Sequence, residues 1–162
     1  MYYQLPLEQI VRHRNRPSQG DFAHEALAVL EETEDSRFEP TARGLALYGA
    51  HEEALAPPVA ILRDRYHEAL EVRPLRVRCL AGRPVRQPVM AVRVVARREH
   101  SLAVLAELRR RHARIEEECL RGRTFIVRAE APLRDLLRLG ESLEALTGGS
   151  AQHGMRLSRY LP

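Results

Sequence analysis

Between Pro88 and Pro162 the hydrophobic period switches back and forth between the two-residue repeat of a strand and the longer repeat of a helix. The order reads strand, helix, strand, strand, helix, strand. A chain patterned this way has to bury one face of a sheet under helices, because each element is apolar on one side only. In the first strand Met90, Val92 and Val94 point one way and Ala91, Arg93 and Val95 the other. Ser101 to Ala113 has helical spacing, and Leu102, Leu105, Ala106 and Leu108 are its expected buried stripe. Ile115, Glu117 and Cys119 alternate against Glu116, Glu118 and Leu120, and Arg121-Gly122-Arg123 supplies a hairpin turn. Phe125, Val127, Ala129 and Ala131 then oppose Ile126, Arg128 and Glu130. Pro132 stands at a favoured first helical position, with Leu133, Leu136, Leu137, Gly140 and Leu143 inward and Thr147-Gly148-Gly149 as the stop. Gly154 to Tyr160 closes the unit as a strand with Met155 and Leu157 inward.

The first half repeats this order more faintly. Leu7 to Val11 suits a short strand, and Asp21 is placed to cap a helix running to Glu34, with Phe22, Ala23, Ala26, Leu27 and Leu30 on one face. Arg37 to Glu39 and Gly44 to Tyr48 suit two strands around a Pro40-Thr41 turn. A second helix spans Ala54 to Tyr66, its regular part expected to begin near Pro57 and Pro58 because proline is costly in a helix interior. Leu70 to Cys79 reads as the closing strand and Ala81-Gly82-Arg83-Pro84 as a linker. The expected fold class is therefore α+β: two ferredoxin-like (βαββαβ) domains in tandem, residues 1–82 and 83–162, each an antiparallel sheet covered on one face by two helices. Domains of this size bury only about 60–65% of their unfolded surface, so each alone would be marginal.

Several function classes are excluded at this level. No apolar run approaches the roughly 18 residues of a membrane span, and the first 16 residues lack the apolar core of a signal peptide. Cys79 and Cys119 are isolated, as expected of reduced thiols in a cytoplasmic protein. No CxxC or HExxH spacing is present, so no metal and no cofactor is expected. His51 with Glu52 and Glu53 forms a cluster, but no nucleophile or paired carboxylate stands near it by spacing, and no enzyme activity is expected.

Charge is more informative. Residues 1–82 hold ten arginines and thirteen acids, whereas residues 83–162 hold sixteen arginines and nine acids; there is no lysine. A guanidinium fork matches phosphate bidentately. In the strand order usual for this topology, Arg156, Arg93 and Arg128 stand in a row across the helix-free sheet face, with Glu130, Glu116 and Glu118 nearby. That face is either an anion-binding surface or a salt-bridged one. Tyr160 at its edge is its one expected aromatic, which argues against base stacking on the sheet. A second cluster, Arg109, Arg110, Arg111 and Arg114, lies at the carboxy-terminal end of the first helix of the second half. Part of it complements the helix dipole, and the remainder is expected to contact phosphates. The candidate nucleic-acid-binding residues are thus Arg109, Arg110, Arg111, Arg114, Arg93, Arg128 and Arg156.

Four segments carry a family resemblance: Pro88-Val89-Met90, Leu108-Arg109-Arg110-Arg111-His112-Ala113-Arg114-Ile115, Val127-Arg128-Ala129-Glu130-Ala131-Pro132-Leu133 and Leu143-Glu144-Ala145-Leu146-Thr147-Gly148-Gly149. Together they resemble the carboxy-terminal domain of elongation factor G. Ala26 to Glu32, followed by Phe38, and Ala60 to Tyr66 resemble the third domain of the same family. The 162 residues hold no GxxxxGK[ST] loop, no counterpart of the family's β-barrel second domain, and only a short linker where its fourth domain would fall. The family's basic residues are replaced at Glu144 and Ser150, its glycines at Ala113 and Arg138, and its Gly-Met-Gly-Glu-Leu-His-Leu-like run by Gly49-Ala50-His51-Glu52-Glu53-Ala54-Leu55. The resemblance implies a non-catalytic protein that binds ribosomal RNA or a ribosomal protein surface, with no nucleotide and no membrane. The alternative is a protein–protein interaction module on a repurposed translation-factor scaffold.

Overall fold

The computed structural model describes residues 5–162. The chain divides into two compact units, Met1–Arg78 and Cys79–Pro162. Both are ferredoxin-like.

In the first unit the order is β1 (Leu7–His13), α1 (Gln19–Leu27), β2 (Ser36–Thr41), β3 (Gly44–Gly49), α2 (Glu52–Tyr66), β4 (Leu70–Val72) and β5 (Arg76–Val77). The sheet runs β2-β3-β1-β4, with β5 also pairing β1. Leu7, Val11, Leu45 and Leu47 meet Phe22, Ala26, Leu55 and Leu62 in the core, all almost fully buried. Helix α1 is shorter than its expected span. Ser18 rather than Asp21 caps it, its Oγ accepting from the Asp21 amide at 3.2 Å. The chain leaves the helix at Leu27 through two tight bonds, Val29 N to Ala26 O and Leu30 N to Leu27 O. The acidic run beyond is a loop, and Glu32 accepts from the Phe38 amide at 2.9 Å. Helix α2 starts at Glu52, five residues before Pro57, so both prolines lie inside it. The turn between β2 and β3 is Ala42-Arg43, not Pro40-Thr41, which are the last residues of β2. The closing strand is interrupted: Pro74 lacks an amide hydrogen for the ladder, and β4 and β5 pair with β1 on either side of it.

In the second unit the order is β6 (Gln87–Arg97), α3 (Ser101–Arg110), β7 (Arg114–Arg121), β8 (Thr124–Pro132), α4 (Leu133–Leu136), α5 (Leu139–Thr147) and β9 (Gln152–Leu161). The sheet order is β7-β8-β6-β9, the arrangement expected from the sequence. Met90, Val92, Val94, Phe125, Val127 and Ala129 form the inner sheet face under Val104, Leu105, Leu108, Leu133, Leu136, Leu139 and Leu143, all buried.

Three local features depart from simple periodicity. Helix α3 is rolled so that Val104 and Glu107 face inward, leaving Leu102 81% exposed and Ala106 exposed. The second helix is broken: Arg138 takes a left-handed φ of 64°, separating α4 from α5. Strand β7 carries a bulge between Ile115 and Glu117, and a second register shift lies between Val89 and Met90 against β9. A bulge inserts one residue and exchanges the faces of the residues beyond it. Ile115 therefore pairs Ala129 on the helix side while Glu117 pairs Arg128 on the open side, and Glu118 moves to the helix side with Val127. Tyr160 pairs Pro88, which takes it off the open face. No helix among the described residues is long and apolar enough to cross a membrane.

Candidate nucleic-acid interface

The arginine cluster straddles the end of α3, which closes in a tight C-terminal motif. The Ala113 amide bonds back to Leu108 O at 3.0 Å, with His112 in the left-handed conformation at φ 62°. This turn separates the four arginines into different roles.

The Arg109 side chain is exposed and, among the described residues, makes no hydrogen bond or ion pair. Arg110 is largely exposed but leans back on Glu107, with Nε to Oε2 at 3.1 Å and Nη2 to Oε1 at 2.5 Å. Arg111 is enclosed, its side chain 11% exposed. Its Nε donates to Glu107 Oε1 at 2.8 Å, its Nη1 to the carbonyls of Asp135 (3.1 Å) and Leu137 (2.7 Å), and its Nη2 to Ser142 Oγ at 2.8 Å. Those carbonyls are the ones the break between α4 and α5 leaves without helical partners. Arg111 thus closes the break, and the expectation that it contacts phosphate is corrected: its donors are already engaged. Burial pushes the Glu107 carboxyl up, but hydrogen bonds from Arg110 and Arg111 outweigh it and hold the group below the usual carboxylate value. Arg114 lies on β7, its Nη2 2.9 Å from Glu116 and 3.5 Å from Glu130.

On the open sheet face, Arg93 and Arg128 are direct cross-strand partners. Arg156 is not in their row; Gly154 is opposite Arg93, and Arg156 is opposite Ala91 in the next row. Arg93 and Arg156 are exposed and, among the described residues, without an ion pair, whereas Arg128 stands 4.0 Å from Glu117. With Glu116, Gly154 and Met155 these three arginines line a shallow depression of about 430 Å³. Its rim is salt-bridged. Glu130, with a side chain only 10% exposed, accepts from Ser158 at 3.0 Å and from Arg159 at 2.8 Å. Burial raises the Glu130 carboxyl, and Arg159, Ser158 and Arg114 bring it below its ordinary value. The open face thus carries exposed guanidinium groups at Arg93 and Arg156 beside an ion-paired lattice.

Two groups lie outside the sequence reading. Arg159 reaches Glu130 only because the register shift at Val89 and Met90 turns it to the open side, and no local pattern announces such a shift. Arg97, Arg98 and Arg123 converge with Glu99 and Thr124 around another depression, where the Arg98 amide bonds Arg123 O at 2.8 Å. The doublet Arg97-Arg98 and the turn Arg121-Gly122-Arg123 are signals visible in the sequence, the second of them read there only as a hairpin turn.

Comparison with known proteins bears on the second unit above all. Residues 85–162 match the family model described as elongation factor G C-terminus. An elongation factor G from Granulibacter bethesdensis is 32% identical over 82 residues, which is 51% of this chain and 12% of that protein. A mitochondrial ribosome-releasing factor 2 from Danio rerio is 37% identical over 82 residues, 51% of this chain and 11% of that protein. An elongation factor G 2 from Hahella chejuensis is 35% identical over 74 residues, 46% of this chain and 11% of that protein. The chain therefore corresponds to about an eighth or less of these relatives' length. A solved structure from Thermus thermophilus superposes with a TM-score of 0.65 at 16% identity, covering 95% of this chain and 40% of that one. This last likeness concerns the fold alone.

Proposed function

We propose, from the match of residues 85–162 to the elongation factor G C-terminus, that the protein binds the translation machinery through its second unit and performs no GTP hydrolysis. The observation that carries this reading is the family match across that unit. One matched relative carries ribosome release in its name and two carry elongation. Within the domain Arg109 and Arg110 supply exposed charge at the end of α3, and Arg93 and Arg156 supply it on the sheet. Arg128 and Arg114 contribute after exchanging a carboxylate for a phosphate. No GxxxxGK[ST] loop stands in the 162 residues, which supports the reading without GTP hydrolysis. We assign residues 1–82, in the same spirit, as a counterpart of the family's third domain, supported by the identical strand order of the two sheets. The reading places the protein in the cytoplasm.

Co-sedimentation with ribosomes at low salt tests it. Binding is expected, weakening steeply as salt rises because phosphate contacts release counterions. The double variant Arg109→Gln/Arg110→Gln is expected to bind at least about fivefold more weakly, with a shallower salt dependence. Absence from every ribosomal fraction at low salt would sink the proposal.

A further inference from the structure

The acidic half of the chain holds a basic depression of its own. Arg12, Arg43, Arg73 and Arg76 line a concavity of about 200 Å³ together with Glu8, Ile10 and Pro74. These arginines are far apart in sequence, and three local devices bring them together. Gly44, at φ 133°, has no side chain; a Cβ there would sit 2.3 Å from Val11 O and 3.0 Å from Arg12 Cγ. Its absence lets the Arg12 stem lie against the β2–β3 turn. Thr41 pins that turn, its hydroxyl donating to Gly44 O at 2.7 Å and accepting from the Arg43 amide at 3.1 Å, so Arg43 is presented at the rim. Pro74 interrupts the closing strand, and the flanking backbone is held by the Arg73 amide on Ile10 O at 2.9 Å and Gln9 Nε2 on Arg73 O at 3.0 Å. Arg73 and Arg76 therefore stand on either side of a fixed kink.

The carboxylates nearby do not neutralise the group. Glu8, itself in the lining and opposite Arg76 in the ladder, is 4.0 Å from Arg78, and Glu71, opposite Arg12, is 3.3 Å from Arg73. Arg12, Arg43 and Arg76 make no side-chain ion pair or hydrogen bond among the described residues. Four guanidinium groups against two carboxylates leave positive charge at the depression, and an oxyanion meets it with charge-assisted bonds. Among the described residues the lining offers guanidinium groups and no aromatic ring for base stacking.

We infer that this depression is a phosphate-binding site, reading the tetrahedral oxyanion and not a base. The oxyanion comes from an RNA backbone or from free phosphate. The site is independent of the arginines assigned to the second unit.

Two titrations of the full chain test it. One uses inorganic phosphate, followed by the Nε–Hε NMR signal of Arg73 and the backbone amide signals of Arg73 and Gly44, all of which the variants keep. The other uses short fluorescent poly(U) at low and at physiological salt. The variant Arg12→Gln/Arg43→Gln/Arg76→Gln is expected to abolish the phosphate-induced shifts or to lower the salt slope for poly(U) by about 2, at roughly 0.7 per lost single-strand contact. Loss in the phosphate titration alone identifies the free anion as the source, and loss in the RNA titration identifies the backbone. The single variant Arg43→Gln, in an exposed turn that keeps Thr41 and Gly44, guards against misfolding and is expected to show about a third of the effect. Unchanged behaviour of both variants in both titrations would overturn the inference. Because Arg109→Gln/Arg110→Gln is measured alongside, failure of this site and failure of the second-unit reading are separate results.

Discussion

The first unit has more acids than arginines and yet gathers Arg12, Arg43, Arg73 and Arg76 around one depression. The second has seven more arginines than acids and yet holds Arg111 inside the fold and Arg114, Arg128 and Arg159 on carboxylates. The two units share a strand order, so topology does not explain the difference. It comes from where carboxylates and orphan carbonyls lie relative to each guanidinium. Net charge of a segment sets its long-range field, whereas the charge available to a ligand depends on what the fold has already paired.

The largest test of this contrast is Arg111 against Arg109, two neighbours on one turn. Arg111→Ala leaves the carbonyls of Asp135 and Leu137 without their side-chain donor and the Glu107 carboxylate with Arg110 alone, and is expected to destabilise the second unit by roughly 3 kcal/mol. Arg109→Gln is expected to change stability by less than about 0.5 kcal/mol. Urea unfolding of both variants checks this, and equal effects would break the distinction between structural and available arginines.

The next comparison sets one hairpin glycine of each unit against the other. Gly44→Ala forces a Cβ onto the Val11 carbonyl oxygen at a positive φ and is expected to cost about 3 kcal/mol or more. Gly122 also has a positive φ, 61°, but its Cβ would meet nothing within 4 Å, so Gly122→Ala is expected to cost about 1 kcal/mol. Thermal unfolding of the two variants measures both, and a Gly122 effect as large as that of Gly44 would refute the close-approach argument.

The smallest effect concerns pH. Hydrogen bonds from Arg16 and then Tyr66 lower the Glu25 carboxyl to about 2. A folded value below the ordinary 4.5 means the contribution is whole above that pH and is lost as pH falls toward 2. Glu25→Gln is therefore expected to lower the first unit's stability at neutral pH, with the gap to the parent protein closing across that window. Amide exchange resolved by unit is the measurement. A gap that persists at pH 2 would show that packing, rather than charge, holds Tyr66 and Arg16 there.

Much of the second unit is legible without coordinates. The alternation in Met90–Val95 and Phe125–Ala131 identifies both central strands and the buried side of each, because a half-buried sheet leaves a two-residue signature that few other structures produce. The first unit is less legible. Ser18 displaces Asp21 as the cap of α1, and Pro57 and Pro58 are tolerated inside α2, where packing of Leu55 and Leu62 outweighs local propensity. Among candidate site residues, Arg93 and Arg109 lie on the surface as the spacing implies. Arg111 is indistinguishable from its neighbours in sequence, since its backbone and hydroxyl partners across the helix break are 24 to 31 residues away.

By itself, the order of residues determined the types of element, their succession, the apolar face of each sheet and the uneven division of charge. All of these follow from burying one side of a locally regular backbone, which period and composition record. Only the tertiary structure decided where bulges exchange the faces of β7 and β9, where the last helix breaks, and which arginines are still open to a ligand. Those outcomes depend on contacts between segments distant along the chain, and on whether a cation finds an anion or an unpaired carbonyl once those segments meet.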